Sequence, residues 1–153
     1  DAQESRGLGD VYKRQIYYSA SGAPAQEGYE QVDFETLLTQ SDIISIHAPL
    51  NEHTEGLINS KAFEKMKSSC IFLNLGRGPI VDEQALYNAL VRDQIAAAGL
   101  DVLCEEPMSA DNPLLKLKDS KRLLITPHIA WASVEARTHL MEIIHGQVKD
   151  FFA

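Results

Sequence analysis

Five short apolar runs, separated by polar or amphipathic stretches, constrain this chain more than any other feature: Ile16–Ser19, Ile43–His47, Cys70–Leu75, Ala97–Val102 and Leu123–Thr126. They are too short for helices. The later ones are apolar almost throughout, as strands buried on both faces of a parallel sheet are. Between them lie segments with helical start signals: Asp33 can cap Phe34–Gln40, Ser60 can cap Lys61–Met66, and Asp82 can cap Glu83–Arg92. Ser133 precedes the longest helical pattern, in which Leu140, Ile143, Ile144, Val148 and Phe151 recur at helical spacing to the chain's end. Alternation of this kind predicts an α/β fold, a truncated doubly wound parallel sheet with right-handed crossovers and a long C-terminal helix.

Composition narrows the functions such a sheet can serve. The 153 residues suffice for one domain, and the net charge of -8 disfavours a nucleic-acid partner or an anionic membrane. An acidic chain can still hold an anionic cofactor where helix N-termini make a pocket locally positive. Two cysteines, Cys70 and Cys104, make neither a disulfide framework nor a zinc site, and reduced thiols fit a cytoplasmic protein. No apolar run approaches membrane-spanning length.

Residues 1–15 have no usable periodicity, and Asp10-Val11-Tyr12-Lys13-Arg14-Gln15 resembles the translation of a transposase adaptor end. This segment is therefore expected to be a scar foreign to the protein, with residues 16–153 forming a partial dinucleotide-binding domain. Gly7-Leu8-Gly9 begins like a G-x-G-x-x-G phosphate loop, but Tyr12 stands at the third glycine position and no strand precedes it. A working loop needs strand, tight turn and helix in that order.

Ligands of parallel α/β sheets sit beyond the carboxyl ends of the strands, so chemistry is sought there. Asn74-Leu75-Gly76-Arg77-Gly78-Pro79 passes from a strand into a glycine-flanked turn, where an arginine fork can grip a carboxylate or merely brace the turn. Asp101 ends the next strand and needs a partner there, and Glu105-Glu106-Pro107 follows. Those glutamates could orient a histidine or could be solvated loop charges. Thr126-Pro127-His128-Ile129-Ala130-Trp131 brings a histidine, the side chain best suited to proton transfer near neutral pH, to the mouth of the sheet. Alone it would be as compatible with packing; beside Arg77 and a carboxylate it becomes a catalytic candidate. His47 ends a strand, where packing is favoured over facing the cofactor, and His53, His139 and His145 lack partners at metal-ligand spacing.

Together these segments resemble the D-isomer-specific 2-hydroxyacid dehydrogenase family over nearly all of residues 16–153. The resemblance rests on Asn74 through Glu83, on Gly99-Leu100-Asp101-Val102 with Glu105-Glu106-Pro107, and on Asn112-Pro113-Leu114-Leu115 before Thr126-Pro127-His128. It implies a Rossmann-like fold in which Arg77 binds the substrate, Glu106 partners the histidine and His128 is the general acid–base. It further implies that Asp101 contacts the cofactor near its nicotinamide end. Ala48, Pro49, Leu75 and Gly76 would line the cofactor, with Arg77 and His128 beside it, and Ala130 and Trp131 would continue the pocket wall.

The chain departs from a whole family member in lacking the G-x-G-x-x-G unit and the separate substrate domain, so it is expected to turn over little by itself. Tyr17-Tyr18-Ser19-Ala20-Ser21 offers neither an acid for the ribose hydroxyls nor an arginine for a 2′-phosphate. NAD is expected as the family's commoner cofactor, with NADP not excluded. The segments Ala110 to Leu115 and His128 to Ala132 look like the glycerate/hydroxypyruvate reductase branch, though other small 2-oxo acids fit as well. The competing reading is a dinucleotide-sensing transcriptional corepressor of the same fold. Dimerisation is expected from the family alone.

Overall fold

The computed structural model describes residues 14–117 and 120–152. Of the expected scar over residues 1–15, residues 1–13, with the glycine pair, lie outside the described residues. Arg14, just after them, bonds the Glu30 carboxylate through Nη2 at 2.6 Å and Nε at 3.0 Å.

Four parallel strands form the body of the fold in sequential order: β3 (Ile43–Ile46), β4 (Ile71–Asn74), β5 (Ala97–Leu100) and β6 (Leu123–Ile125). Register aligns Ile44 with Phe72, Phe72 with Ala98 and Ala98 with Leu123, so all four carboxyl ends open on one edge. Helices α2 (Ser60–Lys65) and α3 (Glu83–Val91) make the first two crossovers, and α1 (Phe34–Gln40) packs beside α2. The third crossover is a long loop with a 3-10 turn at Pro113–Lys116. A sheet wound in one direction by right-handed crossovers places these connections on the same face.

That face holds the core. Phe63 and Phe72 meet edge to face at 5.5 Å between ring centroids, among buried Ile44, Ile58, Ile80, Leu86, Leu90 and Ile95. The other face differs from the sequence expectation. Burial alternates along β3 and β4, and Ile43, Ile71 and Leu124 are 49%, 41% and 67% exposed, so these strands are not covered on both sides. Apolar character there is real, but no described element packs over it.

Three local corrections follow from chain chemistry. Ile16–Tyr17 (β1) pairs in parallel with Glu30–Gln31 (β2), a polar two-residue strand without visible periodicity, and neither joins the larger sheet. Asn59, not Ser60, caps α2, because its side-chain oxygen reaches the amides of Lys61 at 3.0 Å and Ala62 at 3.3 Å. Helix α3 ends at Val91, with Asp93 in the left-handed region at φ 57° turning the chain away. Asp33, Asp82 and Ser133 cap as expected. The long C-terminal helix α4 (Val134–Phe151) is present, yet none of its residues is buried and its apolar stripe faces outward.

Candidate active site

The turn after β4 is held from within. Asn74, fully buried at the strand's end, accepts from the Gly76 amide at 3.1 Å and donates to the Arg77 carbonyl at 3.0 Å. This shapes the glycine turn so that exposed Arg77 stands at the open edge, its Nη1 donating to the Gly76 carbonyl at 2.8 Å. Gly76 lies against the backbone of Ala48 at the end of the neighbouring strand, where an added Cβ would come within 3.1 Å of the Ala48 carbonyl oxygen. At Gly78 the approach is closer still. A Cβ there would overlap the Leu103 carbonyl, so only glycine lets the Arg77 turn abut the loop after β5.

That loop carries Glu106. Its Oε1 accepts from the Leu103 amide at 2.9 Å, and its Oε2 lies 2.9 Å from Nδ1 of His128. With Glu106 ionised, Nδ1 is the protonated ring nitrogen and Nε2 is left to face outward. The His128 and Leu103 bonds hold the Glu106 carboxyl below its ordinary pKa despite partial desolvation. Both side chains are about two-fifths exposed, 42% for His128 and 39% for Glu106, so solvent can reach the pair.

His128 itself sits at φ 57°, the left-handed region that a residue with a Cβ rarely adopts. Asp101 explains how it stays there. This carboxylate, 3% exposed, accepts from the Thr126 hydroxyl at 2.6 Å, the Ile129 amide at 2.8 Å and the Ala130 amide at 2.8 Å. The chain on both sides of the histidine is thus wrapped round one anion, and Trp131 Nε1 closes the turn onto the His128 carbonyl at 3.0 Å. Burial alone would raise the Asp101 pKa, but the bonds from Thr126, Ala130 and Ile129 outweigh it and the pKa falls below the usual carboxylate value.

The structure therefore joins Glu106 and His128 directly, with the Arg77 turn touching their loop through Gly78. Asp101 is committed to the histidine's own turn. Ala48 is half-buried, Gly76 buried, and Pro49, Leu75 and Ala130 exposed along the same edge of strand ends. Sequence reasoning missed Thr126 as a ligand of Asp101, although a Thr-Pro-His after a strand ending in Asp was the available signal. It also missed Arg122, whose guanidinium donates to the Ala96 and Ile95 carbonyls and ties β6 to the chain entering β5. Among the described residues, no group of three His, Cys, Asp or Glu is placed to hold a metal, and no helix is long and apolar enough to cross a membrane.

A parallel α/β sheet with a carboxylate–imidazole pair and an arginine turn at its carboxyl edge defines a Rossmann-like dinucleotide-binding domain. The chain belongs to the D-isomer-specific 2-hydroxyacid dehydrogenase family, whose NAD-binding-domain model matches residues 10–130. It is 45% identical to the hydroxypyruvate reductase of Blautia hydrogenotrophica over 138 residues, which is 89% of this chain and 42% of that protein. An acyclic imino acid reductase in complex with NADPH and D-Arg superimposes with a TM-score of 0.81 at 34% identity, over 94% of this chain and 45% of the other. The D-lactate dehydrogenase of Lactobacillus jensenii with NAD+ gives 0.72 at 36% identity, over 84% and 42%. The chain thus spans less than half the length of these relatives.

Proposed function

We propose that this chain supplies the acid–base side of a nicotinamide-dependent D-2-hydroxyacid dehydrogenase acting on a small 2-oxo acid, with hydroxypyruvate/glycerate the expected pair. One observation carries the reading: His128 Nδ1 lies 2.9 Å from Glu106 Oε2 while its backbone is fixed by Asp101. A bound dihydronicotinamide would supply the hydride. His128 would protonate the developing alkoxide through Nε2, and Glu106 would hold the ring in place through Nδ1. Arg77, free of any carboxylate partner in the bonds described above, would bind the substrate carboxylate as a fork and polarise the neighbouring carbonyl.

The fit to a dinucleotide rests on the edge itself. Gly76 meets the backbone of Ala48 without a side chain between them, and exposed Leu75, Pro49 and Ala130 offer apolar contact for a flat ring. NAD is the expected cofactor, in keeping with the NAD-binding-domain model; NADP is the comparison to make. In the relatives more than half of the polypeptide lies outside the matched region, so the 153-residue chain is expected to bind cofactor weakly and turn over little alone.

The test is a chimaera in which residues 16–153 replace the matching stretch of the Blautia reductase, assayed with hydroxypyruvate, glyoxylate and both reduced dinucleotides. His128→Ala in that chimaera should slow turnover by about a hundredfold or more. An unchanged rate removes His128 from the acid–base role.

A further inference from the structure

The segment Val81-Asp82-Glu83 belongs to the motif that begins at Asn74, yet the roles above leave Glu83 unused. Glu83 is the first residue of α3, whose start is fixed by the Asp82 cap on the Ala85 amide at 2.9 Å and by buried Ala85 and Leu86. From this rigid base its carboxylate reaches in two directions. Oε1 accepts from the Cys104 amide at 2.9 Å, and Oε2 accepts from Nδ2 of Asn112 at 2.7 Å. Asn112 is itself buried and caps the following 3-10 turn through the Leu114 amide at 2.9 Å. Glu83 therefore pins both shoulders of the loop on which Glu106 rides.

The two amides involved are neighbours. Leu103 N–H is given to Glu106, and Cys104 N–H to Glu83. The two amides lie on successive peptides joined at the Leu103 Cα, so holding the Cys104 peptide limits how far the Leu103 amide, and with it the Glu106 carboxylate, can turn from His128. The loop is backed on its other side by Gly78, with Cys104 Sγ 3.6 Å from the Val81 carbonyl. A carboxylate in the first turn of a helix is favoured by the helix dipole, which suits this position to a glutamate that accepts from two donors.

We propose that Glu83 is a positioning residue, clamping the Leu103–Asn112 loop against α3 so that Glu106 is held in register with His128. It acts through Glu106 and touches no reacting atom. Outer partners of this kind fix the geometry of the groups that do. The inference rests on the Glu106–His128 reading, and its test separates the two.

The test follows the Glu106 side-chain carboxyl by 13C NMR titration in the 153-residue chain, with amide exchange of Leu103 as a second readout. Glu106 is faced by His128 and by Asp101, while Glu83 has Asp82 and Cys104 beside it. Loss of the clamp weakens the Leu103 and His128 bonds and so raises the Glu106 midpoint. Loss of the Glu83 charge acting merely through space lowers it, because a like charge has gone. Positioning and simple charge thus differ in sign.

In Glu83→Ala the Glu106 midpoint should rise and the Leu103 amide should exchange about tenfold faster. Glu83→Gln, which keeps an acceptor for one of the two donors, should fall between, and it gives the same reading if the alanine variant does not fold. A Glu106 midpoint that is unchanged or lowered in these variants overturns the proposal. His128→Ala is the control: if it leaves the Glu106 midpoint unmoved, the pair itself fails and the proposed function fails with it.

Discussion

Replacing Asp101 by asparagine changes one atom of the side chain and should cost this domain a large part of its stability. The carboxylate takes three bonds, from Thr126 Oγ1, Ile129 N and Ala130 N, at 2.6, 2.8 and 2.8 Å. Asparagine can keep its oxygen on Thr126 and Ile129, but its NH2 then meets the Ala130 amide, donor against donor. A hydrogen bond to a charged acceptor contributes about 1.5–3 kcal/mol, and the orphaned amide adds a desolvation cost of similar order. Freed from its anchor, His128 can leave φ 57°, recovering ~1 kcal/mol of strain. The net expected loss is about 2–5 kcal/mol. With a urea slope of about 2 kcal/mol/M, the midpoint moves down by roughly 1–2.5 M.

The pH dependence sharpens this test. The folded pKa of Asp101 is lowered, so its contribution is fully present above the unfolded value of about 3.9 and is lost as pH falls through the lower folded value. Urea midpoints of the wild type and Asp101→Asn should therefore differ by a constant amount from neutral pH down to about 5 and converge below about 4. Thr126→Val, which removes one of the three donors and leaves the charge in place, should cost about 1.5–3 kcal/mol. Equal midpoints at neutral pH, or a gap that widens on acidification, would refute the idea that Asp101 anchors the histidine turn.

Other consequences can be checked on the same chain. Gly78→Ala puts a methyl into the Leu103 carbonyl and should cost at least ~3 kcal/mol or prevent folding. Gly99→Ala meets only the movable Cδ2 of Leu73 at 2.9 Å on the open sheet face, and thermal melts should show ~1 kcal/mol or less. Burial pushes the thiols of Cys70 and Cys104 up to about 11. Mass spectrometry after iodoacetamide treatment at about pH 8 should then find Cys104 labelled roughly two orders of magnitude more slowly than a free thiol, and Cys70 unlabelled until unfolding. Arg122→Ala gives up bonds to two carbonyls and to Asp93, and urea melts should show a loss of about 2–3 kcal/mol. Arg122→Lys should recover less than half of that, because an ammonium cannot span both carbonyls as a fork does.

How much of this was legible from residues alone depended on the range over which each feature is determined. Caps were readable where the side chain bonds an amide two or three residues on, as at Asp33, Asp82 and Ser133. At α2 two adjacent residues could both cap, and only geometry selects Asn59 over Ser60. The strands β3 to β6 were visible as apolar runs within a residue or two at each end. The pairing of Glu30–Gln31 with Ile16–Tyr17 was not, because a two-residue polar strand carries no period. In the site, residue types announced Arg77, Glu106 and His128. The resemblance paired Glu106 with His128 across 22 positions, but nothing in the residues announced which donors Asp101 takes 28 positions on, and so its bond to the Ile129 amide was invisible.

The burial pattern shows a deeper limit of reading strands by hydrophobicity. Ile71 and Phe72 are adjacent, equally apolar, and belong to one strand, yet one is 41% exposed and the other fully buried. Period-two geometry sends them to opposite faces, and an apolar side chain records that a face suits burial without naming what buries it. The same holds along α4, where Leu140, Ile143, Ile144 and Val148 keep helical spacing but are 46%, 43%, 41% and 50% exposed. The catalytic candidates escape this ambiguity. Each is fixed by hydrogen bonds at the strand ends: the Arg77 backbone through Asn74, Glu106 through Leu103, and the turn of His128 through Asp101. The site's geometry therefore depends on polar contacts that this chain satisfies by itself.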